Sequence, residues 1–138
     1  MNCYIDSSII IRRLFKEPHE LKEWQKVKVP FSSRILQLEC LRTFDRWKLR
    51  SQAPGHEISS KHSELFQILN HVSLLPLTDH ILKKAEQSMP LPVGSLDGIH
   101  LATALLWREK HGDDFFFATH DQELGLVAKA YGLGVIGL

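Results

Sequence analysis

Cysteine is scarce in this chain: 138 residues contain only Cys3 and Cys40, each set in an apolar run, where a free thiol packs as a small hydrophobe. No Cys-x-x-Cys occurs, and the eight histidines never fall at His-x-x-x-His spacing, so the sequence carries no zinc signature. Charge of one sign is also missing, because 17 Lys and Arg face 16 Asp and Glu for a net +1. A global basic field for nucleic acid is thereby excluded, and any such signal must be local. No apolar run approaches the ~20 residues that span a bilayer. The opening Met-Asn-Cys-Tyr-Ile-Asp lacks the basic flank and apolar core of a signal peptide, so a cytoplasmic protein without a membrane segment is expected. There is no Gly-rich phosphate loop and no nucleophile elbow, which removes the motifs for nucleotide binding and acyl transfer.

What is present is an alternation of short apolar runs with longer helical stretches. Cys3–Ile5 reads as a strand, Asp-Ser-Ser as a polar turn, and Ile9–Phe15 as a helix. Val29–Ser33 offers a second brief strand. Arg34–Arg50 runs without Gly or Pro at helical composition, and the Pro-Gly turn within Ser51–Gly55 ends it. Glu57–Asn70 is a further long helix, and Val72–Leu77 is short enough for a buried strand. Thr78 and Asp79 suit the cap of a helix over His80–Ser88, after which Pro90, Pro92 and Gly94 mark Met89–Ser95 as a connector. Leu96–Lys110 is a helix apolar on most of its circumference, which implies burial on more than one side. Phe115–Thr119 is a strand, Asp121–Tyr131 a helix stopped by Gly132, and Val135–Ile136 a last short strand. Alternating strands and helices without a hairpin signal such as Asn-Gly predict an α/β fold, a parallel central sheet flanked by helices. The length fits a single domain over residues 1–138, with no repeat or linker.

Ligands of open parallel sheets bind beyond the carboxyl ends of the strands, so acids just after strands are the first candidates. Asp6 follows the first strand, and Asp121 follows Phe115–Thr119 after one residue. Asp97 stands just after the Pro-rich connector at the start of a buried helix, whereas Glu39 lies inside the Arg34–Arg50 helix. Each acid also has a plain structural role. Asp6 can cap the helix beginning near Ser8, Asp97 and Asp121 favour the dipoles of their helices, and Glu39 can pair with Arg42. Independent caps, however, have no reason to converge in space.

Several segments together resemble the PIN-domain family. Tyr4-Ile5-Asp6-Ser7-Ser8 looks like its opening strand and turn, and Leu96-Asp97-Gly98-Ile99-His100-Leu101-Ala102-Thr103-Ala104 resembles its third acidic motif. Phe117-Ala118-Thr119-His120-Asp121 is similar to the fourth, Gly132-Leu133-Gly134-Val135 to the usual ending, and Glu39 matches the family's helical glutamate in chain position. One departure is Gly98, where the family often carries Ala. The resemblance implies a PIN-like fold and a metal-dependent endoribonuclease, with Asp6, Glu39, Asp97 and Asp121 as catalytic and metal-holding residues. Magnesium, with manganese as the alternative, is the implied cofactor: it prefers oxygen ligands, keeps several waters, and binds directly through one or two carboxylates. Asp6 and Asp97 are the expected main pair, with Asp121 and Glu39 acting through water or at a second ion. Ser7, Ser8 and Thr119 are placed to orient carboxylates or water, and are equally good caps. His120 is a candidate proton relay or merely a turn residue.

On a helical wheel Glu39, Arg42, Thr43, Arg46 and Arg50 fall within a sector of about 100°, beside an apolar sector of Leu36, Cys40, Phe44 and Trp47. Arg42, Arg46 and Arg50 are therefore candidates to clamp RNA phosphates, or else a solvated basic face. PIN proteins of this length without further domains look like VapC toxins, which implies an RNA substrate, a cognate VapB-type antitoxin and a homodimer. Ile10, Leu14, Phe15 and Trp24 could form the docking groove and a homodimer surface, with plain core as the alternative for the first three. A haloacid-dehalogenase phosphatase would need Asp-x-Asp-x-Thr, which Asp6-Ser7-Ser8-Ile9-Ile10 lacks, and the acids do not fall as in a phosphoreceiver. The remaining alternative is a catalytically silent PIN fold serving as an RNA-binding or scaffolding module.

Overall fold

Cys3, Tyr4 and Ile5 are all fully buried, which a strand achieves only when both faces of its sheet are covered. The computed structural model describes residues 1–138 and shows how they are covered. In chain order the elements are β1 (Asn2–Ile5), α1 (Ser7–Leu14), β2 (Val29–Ser33), α2 (Ile35–Ser51), α3 (Gly55–Asn70), β3 (Ser73–Leu75), α4 (Asp79–Ala85), α5 (Ser95–His111), β4 (Phe116–Ala118), α6 (Gln122–Ala130) and β5 (Gly134–Ile136). All four strand pairings are parallel, in the order β3-β2-β1-β4-β5.

Side chains alternate across the strands, so β1 feeds two cores. Cys3 and Ile5 point to one side, where they pack with Ile9, Ile10 and Leu14 of α1, Leu36, Cys40 and Phe44 of α2, and Leu65 and Leu69 of α3. Tyr4 points to the other, joining Phe31, Phe117, Leu101 and Leu105 of α5, and Leu124 and Val127 of α6. The register sets Tyr4 opposite both Phe31 and Phe117. Its ring stacks on Phe117 at 5.1 Å and meets Phe31 edge-on at 5.5 Å, geometry that aromatic quadrupoles favour. The all-round apolar character expected of the fifth helix is real, since His100 to Leu105 are six consecutive buried residues. Cys3 and Cys40 are free and buried as expected, and burial pushes the Cys3 thiol up to about 12.

The chain steps from β1 outward through β2 to β3, then returns to lay β4 against the opposite side of β1. The crevice above β1 and β4 is thus the switch point of the sheet, where ligands of such folds bind. Gly137, with φ +98°, packs directly against the end of β4: a Cβ there would stand 2.7 Å from the Thr119 carbonyl oxygen. Element edges differ from the sequence reading by a few residues; β3 is Ser73–Leu75 and α4 is Asp79–Ala85, both shorter than expected. A 3-10 turn over Trp24–Lys26 was not foreseen. Ile10 and Leu14 are fully buried in the first core, which removes them from any docking surface, while Phe15 and Trp24 stay partly exposed.

Candidate active site

Asp6 follows the last residue of β1 and serves two ends at once. It caps α1, its Oδ2 accepting from the Ser8 amide at 3.4 Å and the Ser8 hydroxyl at 2.6 Å. The same oxygen accepts from Thr119 Oγ1 at 2.9 Å, at the end of β4. Cap and converging site are therefore one carboxylate used twice: Oδ2 is fixed by the protein, and Oδ1 faces the crevice with no closer protein donor than His100 Nε2 at 3.7 Å. Ser7, by contrast, makes no side-chain hydrogen bond to the acids.

α5 carries Asp97 in its first turn and His100 one turn later on the same face. Asp97 is half-buried and receives no hydrogen bond from the protein. Burial first, then the charges of Asp6 and Asp121, push its carboxyl up to about 6, with His100 acting in the opposite sense. His100 is fully buried and links three elements. Its Nε2 lies 2.5 Å from Glu39 Oε1 on α2, and its Nδ1 lies 2.7 Å from the Tyr4 hydroxyl on β1. Burial acts to lower the imidazole's proton affinity. The Glu39 hydrogen bond and the charges of Asp6, Glu39 and Asp97 outweigh it and hold the ring above the ordinary histidine value. Ligand atoms of Asp6, Glu39 and His100 all fall within 4.8 Å of one another.

Asp121 caps α6 through Oδ1, which accepts from the Leu124 amide at 3.0 Å, and its own amide donates to Thr119 Oγ1 at 3.0 Å. It sits on the exposed rim, close enough to act on Asp97. His120 faces another way, its Nδ1 2.6 Å from the Gly137 carbonyl, while its buried Nε2 has no partner. That carbonyl fixes the Nδ1–H tautomer and gives His120 no contact with the four acids.

The donor set suits a hard divalent cation. Each of the four carboxylates keeps at least one oxygen free of protein hydrogen bonds, and free carboxylate oxygens are what magnesium and manganese take. Glu39 does not pair with Arg42, as the sequence allowed; Arg42 instead meets Asp45 at 2.9 Å. Arg46 donates to Thr43 at 3.0 Å, and Arg46 and Arg50 border a cleft of about 390 Å³ with Phe15, Trp47 and Lys61. The arginine face thus divides, one member engaged on the surface and two around an aromatic cleft. Sequence reasoning passed over the contact between His100 and Tyr4. The signal for His100 was its i+3 spacing from Asp97, and for Tyr4 its i−2 spacing from Asp6, each placing it on the acid's own face.

A five-stranded parallel sheet with carboxylates gathered at its switch point defines an α/β protein with an acidic crevice whose ligand atoms could hold a metal ion. Comparison makes the class specific: the PIN domain family matches residues 3–130, and the chain belongs to that family. It is similar to Ribonuclease VapC46 of Mycobacterium tuberculosis (strain ATCC 25618 / H37Rv), 28% identical over 138 residues, covering 96% of this chain and 95% of that protein. It is also similar to Ribonuclease VapC47 of Mycobacterium tuberculosis (strain CDC 1551 / Oshkosh), 29% identical over 108 residues and 73% of each chain.

Proposed function

We propose that this chain is a metal-dependent endoribonuclease and the toxin half of a type II toxin-antitoxin pair. The observation that carries the reading is the set of four carboxylates around one crevice, each with an oxygen free, where partial burial and then the neighbouring acids raise the Asp97 carboxyl to about 6. Uncompensated acids of this kind destabilise a fold unless a cation joins them. The ribonuclease names of both relatives point the same way.

Asp6, Glu39, Asp97 and Asp121 would hold the ion, with Asp6 and Asp97 as the main pair. Bound there, magnesium supplies neutralisation of the scissile phosphate and a more acidic water. The protein's part is positional. Ser8 and Thr119 lock one oxygen of Asp6, which sets the direction of the other, and Asp97 presents both oxygens from the first turn of a helix that Leu101, Ala104 and Leu105 anchor in the second core. Arg46 and Arg50 offer guanidinium groups to RNA phosphates. In this reading the substrate is RNA, the inhibitor a VapB-type antitoxin whose peptide lies near the acidic crevice, the working form a homodimer, and the compartment the cytoplasm. Residues 1–138 act as one domain, and no helix is long and apolar enough to cross a membrane.

The direct test is cleavage of RNA by the purified protein. Activity should require magnesium or manganese, with titration of the two deciding which is the better cofactor, and should stop on chelation. Cleavage that survives excess chelator, after controls for contaminating nuclease, would remove the mechanism. RNA binding without cleavage would favour a silent PIN module.

A further inference from the structure

His100 stands among the acids in the place of a third metal ligand, and a nitrogen donor there would turn the site toward zinc or copper. The far side of its ring argues otherwise. Nδ1 lies 2.7 Å from the Tyr4 hydroxyl. That hydroxyl already accepts the Ser33 amide proton at 3.1 Å, so its own proton is available to point at Nδ1. With Nδ1 accepting, the neutral ring must carry its proton on Nε2; the charged ring carries one on both nitrogens. In neither form does Nε2 keep a lone pair for a metal ion. The near side agrees, because an unprotonated Nε2 only 2.5 Å from a carboxylate oxygen would set two acceptors against each other. Tyr4 cannot turn away, since it is fully buried, stacked on Phe117 and held edge-on by Phe31.

On the metal-site reading of the preceding section, we infer that His100 is a positioning residue. It donates Nε2–H to Glu39 Oε1, leaves Glu39 only Oε2 to turn toward an ion or its water, and is held in that tautomer by Tyr4. Ser33 N–H, Tyr4 hydroxyl, His100 and Glu39 form one line of hydrogen bonds that ends at the site without joining it. The ion then meets oxygen donors only, the set that magnesium prefers and that also suits manganese.

Two measurements test this. In full-length protein labelled with nitrogen-15 at histidine and kept in chelator, long-range proton–nitrogen correlations should show His100 Nε2 protonated. A bare Nε2 with the proton on Nδ1 would overturn the inference, and this readout needs no variant. Binding of Mn2+ alone, followed by the loss of its free-ion paramagnetic resonance signal, supplies the second. His100→Ala should weaken Mn2+ binding by about tenfold or more, the usual effect of losing a residue that orients a ligand. His100→Gln places an amide N–H close to the position of Nε2 and should hold affinity to within about threefold of wild type. Equal, severe losses in both variants would make His100 a ligand. Undiminished binding in His100→Ala, with only the melting temperature lowered, would make it purely structural, and either result sinks the proposal. Wild-type protein that shows the Nε2 proton yet takes up no Mn2+ would instead sink the metal reading and leave the hydrogen-bonded line standing.

Discussion

Thr119 Oγ1 donates to Asp6 Oδ2 at 2.9 Å while accepting the Asp121 amide at 3.0 Å, so one fully buried hydroxyl joins two acids from the ends of two neighbouring strands. Thr119→Val keeps the shape and deletes both bonds. Leaving buried polar groups unpaired costs about 1–3 kcal/mol, so the urea midpoint should fall by a corresponding amount. RNA cleavage in magnesium should drop by about tenfold as Asp6 loses one of the donors that aim it. Thr119→Ser should recover most of both. A valine variant with wild-type stability and cleavage would show that the hydroxyl is dispensable.

Asp97 gives a pH-dependent signature. Its folded-state carboxyl is raised from 3.8 to about 6, so between those values the folded protein binds more protons than the unfolded chain. Stability from this group is fully present below the lower value and is lost as pH rises through about 6. In chelator, Asp97→Asn should therefore match wild type near pH 4 and exceed it increasingly up to about pH 6, with the gap then level. Added magnesium should stabilise wild type at neutral pH and stabilise the variant much less, while cleavage falls by orders of magnitude. Melting curves across pH, with and without magnesium, check each part. A variant that is active with an intact magnesium shift would remove Asp97 from the site.

The fold was legible where local chemistry decides it. β1 and Asp6 could be read because three apolar residues and an Asp-Ser-Ser cap occupy adjacent positions, and α5 because its apolar residues cover most of its circumference. The strand order was not, since it depends on which apolar faces meet across the two cores. Asp6, Asp97 and Asp121 stood out by following strands or opening a buried helix. The line from Tyr4 through His100 to Glu39 escaped because it closes between residues 96 and 61 positions apart: spacing sets Tyr4 and His100 each beside an acid but does not pair them with each other or with Glu39. Arg42 and Asp45 show the converse limit: an i, i+3 pair was foreseen on this helix, but with Glu39 as the partner, and tertiary packing turned Glu39 inward to His100.

Gly98 follows Asp97 in the first turn of α5, and nothing there requires a glycine. A Cβ would meet Met89 Cε at 3.7 Å, the Ala85 carbonyl oxygen at 3.8 Å and Val93 Cγ2 at 3.9 Å, which are ordinary contacts. Gly98→Ala should stabilise the protein by about 0.5–1 kcal/mol, through lower backbone entropy in the unfolded chain and higher helix propensity. Metal affinity and cleavage should be unchanged. Chemical denaturation measures the gain; a loss of stability would mean that the Met89–Ser95 connector packs too closely on this turn to accept a methyl group.

Arg42, Arg46 and Arg50 share a helix face but not a setting, and that difference predicts their order in RNA binding. Arg42 is held by Asp45 at 2.9 Å, and Lys48 meets the same carboxylate at 2.9 Å, so an approaching phosphate would compete with an existing partner. Arg46 and Arg50 border the cleft beside Phe15 and Trp47, and although Glu17 and Glu57 also line it, neither arginine forms an ion pair. Phosphate contacts carry no base information, so Arg46→Ala and Arg50→Ala should weaken binding to different RNA sequences about equally. Each should also flatten the plot of log affinity against log salt by about 0.7, the value for one contact to single-stranded nucleic acid. Arg42→Ala should leave the slope nearly as it is. Fluorescence anisotropy over a salt series, performed in chelator so that no strand is cut, separates the three. Equal slopes in wild type, Arg46→Ala and Arg50→Ala would return this face to a solvated surface and remove it from the RNA track.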